Sequence, residues 1–199
     1  MLNLFKKCQK AKYNHTEDHV DYSIKVEDRT LFIFFEWSDD KADWKRNFNF
    51  PAKAYKRGND KWWVHRGFLS AWKSVRDEIE REVGFILSTF IIDDIKIVGY
   101  SHGAALALLA TEDMVFRFGE EVKVQGWGFG CPRTLWGFIP KVVKERLKGF
   151  TSVRNIPDIV THLPPMIFGY RNINLLKIGE PGQYSPIKAH YVSSYLDNL

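Results

Sequence analysis

Cysteine is scarce: Cys8 and Cys131 are the two in 199 residues. That excludes a disulfide framework, and neither stands in a C-x-x-C or His-paired spacing that would hold a metal. Both are expected to be reduced, structural thiols. Long apolar runs are also missing. The longest, Leu31 to Phe35 and Gly103 to Ala110, fall far short of the ~20 residues a membrane helix requires. The first residues, M-L-N-L-F-K-K-C-Q-K, put charge where a secretory leader needs an apolar centre. The expectation is a soluble, cytoplasmic protein that can lie on a membrane without crossing it. Repeats, linkers and low-complexity segments are absent as well. A chain of this length buries a core unaided, so one domain over residues 1–199 is expected.

What is present is an ordinary globular balance, 45% apolar and 27% charged, with an aromatic share of 15% that includes seven Trp. That is more ring area than a minimal core requires, and some of it is expected to line a groove or an interface. The net charge of +5 is concentrated. Between Lys41 and Lys61, Lys41, Lys45, Arg46, Lys53, Lys56, Arg57 and Lys61 face only Asp43 and Asp60. Two uses compete for this window: a solvated basic face, or attraction to an anionic surface. A nucleic-acid partner is not expected, because no recognised motif accompanies the charge.

The pattern along the chain alternates strands and helices. Val20 to Val26 and Thr30 to Trp37 read as strands, the second buried. Asp39 to Asn49 suits a short amphipathic helix or an ordered loop. Phe68, Trp72, Val75, Ile79, Val83 and Ile86 recur at spacings of three and four, which marks a long helix with one core face. Ile95 to Gly99 is a strand, followed by a turn and an Ala/Leu-rich helix to about Phe116. Val122 to Phe129 and Phe150 to Asn155 follow as strands with a helix from Ile139 to Leu147 between them. A last strand over Asn172 to Ile178, a Gly/Pro loop and a short helix complete an α/β architecture with a mostly parallel sheet.

The sharpest local signal is Gly99-Tyr100-Ser101-His102-Gly103, a G-x-S-x-G turn between that strand and helix. Glycines on either side let strand and helix approach while the serine sits exposed on a strained turn. The helix start aims backbone N–H groups at negative charge forming on a bound carbonyl. A serine hydroxyl needs a base and an orienting carboxylate to become a nucleophile. Of six histidines, His15, His19 and His65 precede the serine and His102 points away from its hydroxyl, which leaves His162 and His190. His190 follows the Gly/Pro loop after the last strand and is preferred, with His162 open. Asp158, just past a strand end, is preferred as the acid over Asp93, Asp94 and Asp113.

These residues resemble the class 3 lipases, the α/β-hydrolase family related to fungal triacylglycerol lipases. The likeness runs from about Leu31 to Tyr195 through ordered blocks: Asp43-Trp44 with Asn47-Phe48, Val64-His65-Arg66-Gly67-Phe68, the serine turn with Ala104-Ala105-Leu106-Ala107, Phe129-Gly130-Cys131-Pro132-Arg133, Asn155 through Asp158 to Leu163-Pro164-Pro165, and His190-Tyr191. The resemblance implies Ser101 as nucleophile, Asp158 as acid and His190 as base. It implies an oxyanion hole from the N–H groups of His102 and Ser38. Here the sequence departs from the family: Phe35-Glu36-Trp37-Ser38 stands where the family carries Phe-Arg-Gly-Thr or Ser, and Trp37 would adopt a positive φ only with strain. Ser38 also suits a helix cap. The segment after Ser38 is implied to be a lid, with Trp37, Trp44, Phe48 and Phe50 toward lipid or substrate and Lys45 and Arg46 kept wet.

The expectation is therefore a compact α/β-hydrolase that cleaves lipid or acylglycerol esters through an acyl-serine, without metal or cofactor, in peripheral contact with a lipid surface. Phospholipase A1-type and feruloyl or aryl esterase activity are the nearest alternatives. A non-catalytic lipid-binding or interaction module is a second.

Overall fold

The computed structural model describes residues 1–14, 20–36 and 51–199. In chain order its regular elements begin with helix α1 (Leu2–Lys10), strands β1 (Tyr22–Glu27), β2 (Thr30–Phe35), β3 (Ala52–Arg57) and β4 (Asp60–His65), and helix α2 (Arg66–Thr89). Strand β5 (Asp94–Tyr100), helix α3 (His102–Phe118), strands β6 (Lys123–Phe129) and β7 (Leu135–Trp136) and helix α4 (Lys141–Arg146) follow. Strands β8 (Phe150–Asn155), β9 (Tyr170–Arg171) and β10 (Leu175–Ile178) and helix α5 (Val192–Asn198) complete the order.

A six-stranded sheet, ordered β1-β2-β5-β6-β8-β10, forms the centre. Every neighbouring pair is parallel except β1 with β2. The run T-L-F-I-F-F is apolar on both faces because both faces are covered. Leu31, Ile33 and Phe35 pack with α2 and α3. Phe32 and Phe34 point the other way and pack with Phe5 of α1 and Tyr195 of α5. Helix α2 buries Phe68, Trp72, Val75, Ile79 and Val83, the stripe its spacing predicts. Cys8 and Cys131 are free and buried, and burial pushes both thiols up to about 12, which leaves them inert near neutral pH. Among the described residues no helix is long and apolar enough to cross a membrane.

A smaller antiparallel sheet, ordered β3-β4-β7-β9, is built from chain leaving the C-terminal ends of β6 and β8 together with a hairpin that the sequence pattern hides. Residues 52–65 read as part of a charge window, yet Tyr55, Arg57, Trp62 and Val64 are buried. Two further elements differ from the pattern. Residues 2–10 form α1, whose buried positions are Phe5 and Cys8. The stretch from Asn172 to Ile178 is a strand only from Leu175, because the preceding Tyr170–Arg171 pairs with β7 in the other sheet. Residues 37–50, where a lid helix or loop is expected, lie outside the described residues.

Arg57 corrects the reading of the basic window as one surface. Its Nε donates to Asp113 and a terminal nitrogen donates to Glu80 at 2.8 Å. Tyr55 Oη and Trp72 Nε1 each donate to Asp113 at 2.6 Å. Hairpin, α2 and α3 are thus locked by one buried polar cluster. Its neighbour Glu112 accepts from Arg146 at 2.9 Å, but Glu112 Oε2 finds no hydrogen-bond partner among the described residues.

Burial pushes the Glu112 carboxyl up to about 7 against the pull of Arg146. The folded protein therefore holds this proton more tightly than the unfolded chain, whose carboxyl titrates near 4.5. Between about pH 4.5 and about pH 7 the native state binds more protons, so the stability Glu112 contributes at low pH is lost as pH rises. Glu112→Gln is expected to flatten that decline, by at most about 3 kcal/mol, in denaturant midpoints measured from about pH 5 to about pH 8. An unchanged pH profile would refute it.

Candidate active site

Strand β5 delivers the chain to Ser101 and α3 carries it away at once, leaving Ser101 at φ 54° and ψ −120°. For a residue with a Cβ such backbone costs on the order of 1–3 kcal/mol, sustained only when the surroundings over-determine it. Here they do. Ser101 N donates to Phe129 O at 2.9 Å and Ala104 N donates to Ser101 O at 3.0 Å. A Cβ at Gly99 would fall 2.0 Å from the Gly103 carbonyl oxygen, and one at Gly103 would fall 2.5 Å from the carbonyl oxygens of Phe35 and Glu36. The end of β2 is thus pressed against the first turn of α3.

His190 reaches the same edge from a short helical turn after the Gly/Pro loop. Its Nε2 lies 2.8 Å from Ser101 Oγ and its Nδ1 lies 2.8 Å from Asp158 Oδ2. The Tyr100 ring stacks on the imidazole, with centroids 5.2 Å apart and planes 18° apart, and Tyr100 Oη donates to the His190 carbonyl. Asn155 Nδ2 donates to Ala189 O at 3.1 Å, and Ser194 Oγ donates to Lys188 O at 2.6 Å. The turn is pinned at each residue.

Asp158 is fully buried. Its Oδ1 accepts from Val160 N at 2.9 Å, and its Oδ2 accepts from Tyr195 Oη at 2.6 Å as well as from His190 Nδ1. Tyr195 Oη in turn accepts from Asn155 N at 3.1 Å. Burial and the Asp158 charge hold the Tyr195 phenol well above its ordinary range, so it remains a donor. With Nδ1–H assigned to the carboxylate, Nε2 presents a lone pair to the serine hydroxyl.

Of the expected candidates the structure brings together Ser101, His190 and Asp158. His162 is elsewhere engaged, with Nδ1 2.9 Å from the Asp158 main-chain oxygen and Nε2 3.3 Å from an Arg154 nitrogen. Asp93 pairs with Arg29 at 2.6 Å, and Asp113 belongs to the buried cluster. The His102 ring packs on Phe68, centroids 5.5 Å apart, while its backbone opens α3. Ser38, Trp37, Trp44 and Phe48 lie outside the described residues.

Two residues escape sequence reasoning. Tyr195 has no local signature, and the neighbouring Tyr191 of the His190-Tyr191 block is half exposed. Gly130 is the other. It sits at φ +61°, and a Cβ there would meet His190 Cε1 at 2.8 Å and Asp158 Oδ2 at 3.4 Å, so only glycine leaves room for the imidazole and carboxylate to meet.

Residues 32–168 match the family described as Lipase (class 3). The chain belongs to the class 3 lipase family. It is 27% identical over 172 residues to "Phospholipase A1-IIgamma" of Arabidopsis thaliana, covering 73% of this chain and 40% of that protein. It is 28% identical over 146 residues to "Secreted mono- and diacylglycerol lipase 1" of Fusarium solani, covering 72% and 42%. The match spans about two-fifths of the length of these relatives. Among solved structures, the lipase from Rhizopus microsporus var. chinensis superposes with a TM-score of 0.68 at 25% identity, covering 80% of this chain and 57% of that one. The shared architecture is the α/β-hydrolase fold.

The relatives overturn the cytoplasmic expectation. The Fusarium solani lipase and another from Malassezia restricta are named as secreted. That expectation rested on charge in the first ten residues, which form a helix that packs on the sheet through Phe5 and Cys8, with Lys6 and Lys10 exposed and Lys7 paired with Glu27.

Gly130→Ala is expected to keep the fold and slow labelling of Ser101 by a fluorophosphonate by about a hundredfold, since a displacement of the base by an ångström costs that much. Labelling at the wild-type rate would show that the imidazole tolerates a Cβ beside it.

Proposed function

We propose that the protein is a serine carboxylic ester hydrolase acting on lipid esters, with residues 1–199 forming one catalytic domain. The observation that carries this reading is the unbroken line from Ser101 Oγ through His190 to Asp158, with 2.8 Å at both hydrogen bonds. His190 Nε2 takes the serine proton as Oγ attacks the ester carbonyl. Asp158 holds the tautomer and stabilises the imidazolium. The same nitrogen then gives the proton to the leaving alcohol, and water repeats the cycle on the acyl-serine.

The oxyanion is met by the N–H of His102 at the start of α3. Ser38 is the second donor in this reading, because it follows by two residues Glu36, whose carbonyl packs on Gly103. Each such donor contributes about 3 kcal/mol to transition-state stabilisation. Trp37, Trp44 and Phe48 are assigned to the lid that meets lipid. Acylglycerols are the favoured substrates, supported by the Fusarium relative's name. Phospholipid acyl esters are the second reading, supported by the name of the Arabidopsis relative. The complete Ser101–His190–Asp158 line weighs against a non-catalytic binding module.

Hydrolysis of p-nitrophenyl esters from acetate to palmitate, with and without micelles, tests the proposal. Turnover should fall at least about 10⁴-fold in Ser101→Ala and by a similar factor in Asp158→Asn. Long chains should be preferred, more so at micelles. A folded wild type inert toward every chain length, or a fully active Ser101→Ala, would refute the reading.

A further inference from the structure

We infer that Met166, Ile167 and Phe138, with Lys144 and Arg171 beside them, form a docking surface for an anionic phospholipid bilayer. The inference rests on the lipid-ester reading above and names the surface that brings the site to its substrate. It starts from an exception to burial. Met166 is 64% exposed, Ile167 87% and Phe138 81%, and large apolar side chains clustered in water mark a contact surface.

The cluster stands on a fixed base. Phe168 N donates to Pro165 O at 3.1 Å, Gly169 N donates to Met166 O at 2.8 Å and Gly137 N donates to Gly169 O at 2.9 Å. Trp136 Nε1 donates to Phe168 O at 2.7 Å. These bonds tie the Met166 turn to the Phe138 segment. Insertion of the apolar tips among acyl chains removes them from water at about 25 cal/mol per Å² of apolar area.

A groove of about 620 Å³ adjoins the tips, lined by Phe138, Ile139, Lys144, Arg171, Asn172 and Asn174 among others, with no acidic side chain in the lining. Arg171 Nε donates to Gly137 O at 3.0 Å, which fixes the guanidinium at the groove. The Lys144 ammonium lies 6.0 Å from the Phe138 ring centroid. Apolar tips beside a cationic groove match a layer of anionic headgroups above hydrocarbon, and each well-placed cation strengthens such attachment.

The surface is joined to the Ser101 turn through the fold. The loop carrying Met166 follows Asp158 after a short helical turn at Val160–His162, and β9 behind it connects to the Ser101 turn through ring contacts: Tyr170 to His65 at 5.8 Å, His65 to Phe68 at 4.4 Å and Phe68 to His102 at 5.5 Å.

Co-sedimentation in the Ser101→Ala background tests this without consuming the lipid, using vesicles of phosphatidylcholine alone and of phosphatidylcholine mixed with phosphatidylglycerol. The parent should favour the mixed vesicles. Met166→Ser with Ile167→Ser should weaken binding to both by at least about tenfold. Lys144→Gln and Arg171→Gln should each cost about fivefold on the mixed vesicles and leave phosphatidylcholine binding unchanged. Thermal midpoints matching the parent establish that the variants fold.

Undiminished vesicle binding by Met166→Ser with Ile167→Ser overturns the proposal. Self-association abolished by Met166→Ser with Ile167→Ser, without vesicle binding by the parent, overturns it in favour of a second copy of the chain. Full competition by free glycerol phosphate overturns the bilayer as the occupant. Hydrolysis of p-nitrophenyl butyrate by the wild type is read separately. An inert wild type whose Ser101→Ala form still binds vesicles through these residues refutes the esterase reading alone.

Discussion

The backbone at Ser101 is the constraint on which the rest of the site depends. A residue with a side chain is held at positive φ by a strand that stops, a helix that starts one residue later and a neighbouring strand end jammed against the helix's first turn. Relaxing that turn would rotate Oγ away from His190. It would also swing the first N–H groups of α3 away from Ser101 Oγ, since the hydroxyl and those amides share one stretch of backbone. Small residues at Gly99 and Gly103 are what the close contact demands, and the cost of the strain is borne by the fully covered sheet beneath.

The base and acid are held differently, by hydrogen bonds rather than by crowding. Asp158 receives Val160 N, His190 Nδ1 and Tyr195 Oη, so neither oxygen can turn without breaking a bond in a buried place. The tyrosine and Asn155 connect the carboxylate to the end of β8, while the asparagine side chain reaches the turn that carries the imidazole. Two separate loops thereby move as one.

That Ser101, Asp158 and His190 meet was legible because the first lies in a pattern whose spacing dictates its own geometry, and the other two follow in the chain order such sheets impose. Gly130 and Tyr195 were not. Gly130 matters because β6 and β8 pair with Phe129 opposite Val153, a register that letters do not reveal, and Tyr195 matters because α5 turns back beneath β8. The hairpin at residues 52–65 hid behind its charges. Arg57 looks like surface until its partner Asp113, 56 residues away, is seen buried beside it. Met166 and Ile167 carry no signal of their own in the sequence, and the turn exposes them.

Phe5 of α1 touches the rings of Tyr100, Phe129 and Tyr195, with centroid separations of 5.5, 4.7 and 5.9 Å. This wedge lies on the face of the sheet away from α3 and works as electrical insulation. The imidazole–carboxylate pair and the phenol behind it interact through a medium of low polarisability only while that face stays dry. A helix on the far face of the sheet thus sets the dielectric around the His190–Asp158 pair.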